Sequence, residues 1–370
     1  MHRTGVLPSQ AIRAYVEDGI VAAPEAIQEA QIQPASIDLR LGTIAYELRA
    51  SFLPGGYSSI ERKLDDLQLR IGELDLTNGA TLRPGHVYLV ELMEQVKLPP
   101  EVWGKANPRS TTGRADLFTR LLCDFSTEFE GVPAGYKGKL FAEIVPRTFA
   151  VKVRRGTRVN QLRFSRGSPP PSDKSIADIS RAEPVVYVRD EGPSGGNVRR
   201  GLHLSVDLTP EDSAGIIGYR AKRNAPVFDF DCVACYDPLD FWEPILHTGL
   251  QSIVLHPDDF YILRSRERVR IPPTFAAELM PYEATFGEFR VHYAGFLDPG
   301  FGYGSGDVDG TPVVLEVRAR DVPFLVEDGQ TIARILYYRL RDTPDKIYGA
   351  TIGSSYQAQK IALGKQFRPR

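Results

Sequence analysis

Two stretches of this chain are each answered by a second copy in the same order, the longer at an offset that holds over many positions, which restricts the fold to two copies of one architecture. Residues 33–42, QPASIDLRLG, are answered by GLHLSVDL at 201–208, and RPGHVYLVELMEQVKLPPEV at 83–102 by HPDDFYILRSRERVRIPPTF at 256–275. Pro84 and Pro257, Pro99 and Pro272, Glu143 and Glu316, and Gly156 and Gly329 are each 173 residues apart. At 370 residues the chain also exceeds the roughly 250 to 300 at which one core stops growing, so length and repeat both predict two domains. The repeat places them at 1–165 and 201–346. Residues 166–200, rich in Pro, Ser and Gly at both ends, read as a linker, and 347–370 as a polar tail.

Short alternating runs rich in Val, Ile, Leu, Tyr and Phe (HVYLVEL, KLFAEIV, FAVKV, FYILRS, VVLEVRA, RILYYRL) predict strands. With 28 Pro and 33 Gly punctuating them, long parallel strands with crossover helices are disfavoured and a mainly β chain is expected. The clearest helix is residues 9–18, SQAIRAYVED, with Ser9 as N-cap, Ile12, Tyr15 and Val16 on one face and Gly19 as its stop.

A formal charge of −2 gives no global attraction to nucleic acid or an anionic membrane, so any phosphate binding has to be local. The N-terminus has no basic-then-apolar leader, and no run approaches ~18 apolar residues, so the expectation is a cytoplasmic enzyme. Cys123, Cys232 and Cys235 are too few for a disulfide scaffold. The CxxC at 232–235 is half a zinc site and reads as two small residues on a strand.

The chemistry-bearing residues divide between the copies. In the first, PRSTTGR at 108–114 crowds Arg109, Ser110, Thr111, Thr112 and Arg114 around Gly113. Arginine forks match phosphate oxygens in pairs, so this cluster suits a polyphosphate; it would equally serve as a capped helix start with solvated arginines. The matching stretch of the second copy has Pro281, Tyr282 and Glu283 instead. The second copy offers RVHYAGFLDPGFG, followed after YGSGDVDG by TPVVLEVRA, read together as a β-hairpin whose tip places Asp298 before a Pro-Gly turn and whose later strand carries Glu316 among Val313, Val314, Leu315 and Val317. A partnered carboxylate on an apolar strand suits proton transfer, while on the solvent face of an alternating strand it would do nothing. The first copy keeps Glu143 but has Pro133 where Asp298 aligns.

These motifs, in their order from the starting helix and PASIDLRLG through PRSTTGR, LDPGF and VVLEV to the YQAQK tail, resemble those of the deoxycytidine triphosphate (dCTP) deaminases, relatives of the trimeric dUTP pyrophosphatases. The resemblance implies two tandem dUTPase-like jelly-roll or β-barrel domains with few short helices. It also implies hydrolytic deamination of dCTP to dUTP and ammonia, feeding dUMP and dTTP synthesis. By resemblance, Arg109, Ser110, Thr111 and Arg114 match the family's triphosphate motif, with Pro108 for its first Gly and Thr112-Gly113 for its Leu-Ala. Ala294 and Asp298 match its base and sugar segment, followed by Val314 and Leu315. Glu316 matches its catalytic glutamate, with Glu143 as second choice, and Arg114 and Ser110 orient the attacking water. Tyr348, Ser355 and Gln359 match tail positions that close over the nucleotide, Ser355 replacing a basic residue.

Magnesium is expected to arrive with the triphosphate. The HxE and PCxxC signatures of zinc deaminases are missing, which favours a metal-free, Glu-activated water over zinc. The split suggests one composite site, within a chain or between chains. A dUTP pyrophosphatase, an enzyme performing both steps, and a non-catalytic nucleotide sensor stay open. So do feedback by dTTP and assembly into a homo-oligomer.

Overall fold

The computed structural model describes residues 4–168, 172–189, 191–211, 213–280, 295–303, 309–319, 321–349 and 362–369, together with the backbone of 289–291. It is mainly β, with short helices between barrel-like sheets. No helix among the described residues is long and apolar enough to cross a membrane. The chain divides into two compact units, Met1–Pro169 with Pro226–Val233 and Leu340–Asp345, and Pro170–Ala225 with Ala234–Arg339 and Lys346–Arg370.

The first unit is organised by the strand Ile37–Leu48. Its first half pairs antiparallel with Arg158–Arg166 and its second half with Val87–Lys97, so one strand passes from one face of the unit to the other. The register slips between Leu41 and Ala45. At Gly42 a Cβ would meet the Glu91 carbonyl at 2.5 Å, so only glycine admits the neighbouring backbone there. The sheet then runs through Lys137–Pro146 to Leu117–Cys123 on one side, and through Val102–Pro108 to Gly131–Val132 on the other. The helix Ser9–Glu17 follows the apolar spacing. Pro8, however, is its N-cap residue; the buried Ser9 hydroxyl donates to Asp345, and Gly19 ends the helix at φ 68°.

The second unit has a larger sheet built on Phe260–Val269 and Thr311–Ala319, and a four-stranded sheet in the order Leu202–Ser205, Thr331–Arg339, Phe275–Met280, Phe296–Leu297. Leu204, Leu263, Leu315, Val317, Ile335 and Tyr337 contribute to its core. The segment read as a linker contains the helix Ser172–Ala182, which buries Ile176 and Ile179. Ser172 Oγ accepts the Tyr337 amide at 2.8 Å, and Asp173 accepts those of Arg200 and Gly201 at 2.7 and 2.6 Å. Cys232 and Cys235 flank a turn, which corrects the strand expected there. Cys123 is a buried free thiol whose pKa burial pushes up to about 12.

Candidate active site

The phosphate-type cluster lies where Val102–Pro108 stops. Pro108 pairs with Asn160, and the Arg109 amide still donates to Val159 O at 3.0 Å. The chain then coils into the single turn Ser110–Arg114, with the amides of Thr112 and Gly113 donating to Arg109 O at 2.8 and 3.0 Å. Thr112 is wholly buried and its hydroxyl donates to Val159 O at 2.8 Å, fixing the turn to the adjacent strand. Thr111 and Arg114 are also buried, while Arg109 and Ser110 are half-buried and face outward in part. The turn therefore leaves Arg109 and Ser110 partly exposed at a strand end and buries Thr111, Thr112 and Arg114.

In the second unit Glu316 sits on Thr311–Ala319 opposite Ile262. Strand alternation sends Val313, Leu315 and Val317 into the core and puts Val314, Glu316 and Arg318 on the opposite face. That face is not open to water, since Glu316 is 5% exposed. The carboxylate is therefore neither in the apolar core nor on a solvated surface.

Asp298 is also buried, on the stretch between the two strands of the expected hairpin, of which Arg290 and Val291 pair antiparallel with Arg318 and Val317 while the intervening Phe296–Leu297 joins the smaller sheet. Phe296–Leu297 pairs with Phe275–Met280 in the smaller sheet, whereas Thr311–Ala319 pairs with Phe289–Val291 and Phe260–Val269 in the larger one. Asp298 follows Phe296–Leu297, where the chain turns away from the smaller sheet. Gly300 makes that turn at φ 93°, with a Cβ position 2.9 Å from Tyr348 O. The Tyr348 amide donates to Pro299 O at 2.7 Å and its ring packs on Phe301 with centroids 5.6 Å apart. Tyr348 and Asp298, 50 positions apart in sequence, are thereby brought to one turn. Ala294, Ser355 and Gln359 lie outside the described residues.

The first unit's carboxylate meets a different neighbour. Glu143 pairs in register with Arg120, whose Nε donates to Glu143 Oε1 at 3.1 Å and whose terminal nitrogen makes a second bond to the same oxygen. Arg120 lies over the Phe129 ring at 3.5 Å and also donates to Ser51 at 2.9 Å. Nearby, Phe141, Leu89 and Leu122 pack with Ile60 and Leu64 from the helix Ile60–Asp66. Arg120 was not singled out in the sequence, because its role depends on a strand pairing that no local motif announces.

Asp38 was also missed, although the repeated IDL and VDL motifs carry it and Asp207 at matching places. It lies 3.2 Å from Arg109. Among the described residues no group of three or more His, Cys, Asp or Glu side chains is disposed to hold a metal ion.

The model of the 2'-deoxycytidine 5'-triphosphate deaminase N-terminal domain matches residues 3–168, and that of the C-terminal domain residues 172–367. The chain is 30% identical over 167 residues to a dCTP deaminase of Natronomonas pharaonis, covering 43% of this chain and 80% of that protein. It is 29% identical over 202 residues to a dUMP-forming dCTP deaminase of Beutenbergia cavernae, covering 54% of this chain and 97% of the other. The crystal structure of a 2'-deoxycytidine 5'-triphosphate deaminase from Agrobacterium tumefaciens superposes with a TM-score of 0.86 at 44% identity, over 93% of this chain and all of that one.

Proposed function

The chain belongs to the 2'-deoxycytidine 5'-triphosphate deaminase family, and from that premise we propose that Glu316 is its catalytic carboxylate and Arg109 and Ser110 its contacts to the triphosphate. The observation that carries the assignment is the state of the other candidate. Glu143 is tied in register to Arg120, whose two bonds both go to Oε1 and hold the carboxylate against the guanidinium, so it is poorly placed to accept a proton from water. The two halves read as copies that have divided the labour, one keeping the phosphate motif and the other the Asp298 turn and an acid.

In the proposed reaction Glu316 takes a proton from a water molecule as its oxygen adds to C4 of the cytosine. It passes that proton to the ring nitrogen, then takes the proton of the new C4 hydroxyl and gives it to the departing amine, giving dUTP and ammonia. General acid–base help of this kind contributes about 10²- to 10⁴-fold. Arg114 and Ser110 orient the water and offset developing charge. Asp298 with Val314 and the backbone at Leu315, whose side chain is in the core, reads the base and sugar, and Tyr348 covers the nucleotide. Magnesium is part of the substrate, carried on its triphosphate.

The test compares Glu316→Gln with Glu143→Gln. Glu316→Gln should stop ammonia release while dCTP still binds, and Glu143→Gln should change turnover by less than about tenfold. Severe and mild effects in the reverse order would move the chemistry to the first half. The dUMP-forming activity named for the Beutenbergia relative is a second reading. Identifying the products decides between them, since dUMP and pyrophosphate appear only if the phosphate chain is also cut.

A further inference from the structure

Asp38 is a buried acid touching the phosphate cluster, and no part of the mechanism above uses it. Its side chain is 1% exposed, with one oxygen 3.2 Å from Arg109 Nε and the other 3.6 Å from a terminal nitrogen of Arg158. Both sides of this arrangement are anchored. The same Arg158 nitrogen donates to Ala30 O at 2.9 Å, Asp38 O accepts from Gln31 Nε2 at 3.0 Å, and the strand pairs Asp38 with Gln161. The carboxylate therefore cannot follow Arg109 if the arginine moves; Arg109 has to come to it.

A guanidinium carries five donors in a fixed fork, so a partner at Nε orients the group while leaving terminal nitrogens for a second anion. Arg109 is 25% exposed at its side chain, and an arginine ordered before binding loses less rotamer freedom when a phosphate arrives. The second unit supplies a comparison. Asp207, at the matching place, is held to Arg264 at 2.8 Å and Arg189 at 2.6 Å, neither of which comes from the stretch that aligns with the phosphate motif. A buried acid recurs in both units, and in the unit with the phosphate motif it grips a member of that motif.

We propose that Asp38 is a positioning residue that sets the affinity for the triphosphate by holding Arg109 in its binding orientation, an inference that rests on the reading of Arg109 as a phosphate contact. The test is a cycle in the full-length enzyme of wild type, Asp38→Asn, Arg109→Ala and the double variant. It reads KM and kcat for dCTP, inhibition by phosphate-free deoxycytidine, and competition by inorganic tripolyphosphate.

Asp38→Asn should raise the KM for dCTP about tenfold and weaken tripolyphosphate in parallel, with deoxycytidine inhibition and kcat within about twofold. In the Arg109→Ala background the same change should add less than about twofold, because its target is gone. Unchanged KM, an equal loss of deoxycytidine binding, or full additivity with Arg109→Ala would overturn the proposal.

If Arg109→Ala leaves the dCTP to deoxycytidine preference intact, the phosphate reading of Arg109 fails first and takes this inference with it. Should Asp38→Asn not fold, Asp38→Glu keeps the charge and displaces it by one methylene. An intermediate KM then supports the positioning role, and a wild-type KM in a folded protein refutes it.

Discussion

Glu143 and Glu316, equivalent by spacing, show how little a residue type says about its use until its neighbours are known. Arg120 reaches Glu143 from the adjacent strand, and Glu143 Oε2 accepts no hydrogen bond from any described residue, so Arg120 is what keeps that buried charge tolerable. Two stability effects follow. Glu143→Gln leaves a neutral acceptor for a partly exposed guanidinium and should cost about 1–2 kcal/mol. Arg120→Leu strands a carboxylate 1% exposed and should cost more, about 3 kcal/mol. Thermal melting of both full-length variants checks the order; a costlier Glu143→Gln would mean the pair is held by something other than charge. The sequence alone named both glutamates and the crowded hydroxyls of 109–114. It could not separate the wholly buried Thr112, which pins the turn, from Arg109 and Ser110, which face outward. Two hydroxyls two residues apart look alike until the strand beside them is known.

Strands were the most legible elements because a period of two needs only a few residues to declare itself, and Lys137–Pro146, Phe260–Val269, Thr311–Ala319 and Thr331–Arg339 all fall on alternating runs. The helix Ser172–Ala182 was hidden by the prolines before it and by having few apolar positions, Ile176 and Ile179 being its largest. The hairpin expected around Asp298 keeps its outer pairing, Arg290 and Val291 with Arg318 and Val317, but its inner stretch goes elsewhere. Alternation identifies a strand but not its partner, and Phe296–Leu297 pairs across to the smaller sheet. That crossing depends on Gly300, whose φ of 93° and close approach to Tyr348 both exclude a side chain. Gly300→Ala should therefore loosen the Tyr348 contact as well as strain the turn. The expected result is faster hydrogen exchange at the Tyr348 amide and a higher KM for dCTP with the fold retained; unchanged exchange would show that the turn shifts without releasing the tyrosine.

At the scale of the molecule, the sequence repeat predicts two contiguous domains, yet the first unit is completed by chain from far downstream. Phe228–Asp229 adds a parallel strand beside Val151–Val153, Phe228 packs edge-on against Phe149 with centroids 5.8 Å apart, and both Phe228 and Phe230 are buried. Leu340–Asp345 contributes a bridge from Leu340 to Val6 and an ion pair from Asp345 to Arg13 at 2.7 Å. A chain ending at residue 168, where the N-terminal family model stops, would lack these pieces. It should bind hydrophobic dyes and melt without a cooperative transition, while a compact, cooperatively melting fragment would show the downstream segments to be ornament.

The ion pair that fastens the inserted strand gives the same claim a pH dependence. Arg154 donates to Asp229 at 2.9 Å and to Asp231 at 3.0 Å, and the bond from Arg154 holds the Asp229 carboxyl below its ordinary value of 3.8. A depressed carboxyl contributes stability that is complete above its unfolded pKa and is lost as pH falls through the lower folded one. Both side chains are about a quarter to a third exposed, so solvent screening keeps the contribution near or below about 1 kcal/mol. Asp229→Asn should accordingly lower the thermal midpoint by a constant amount from neutral pH down to about pH 5, and the gap from wild type should close as pH drops below 3.8. A gap that persists unchanged into acid would mean that Asp229 serves the strand through its neutral hydrogen bonds and that Arg154 fastens nothing by charge.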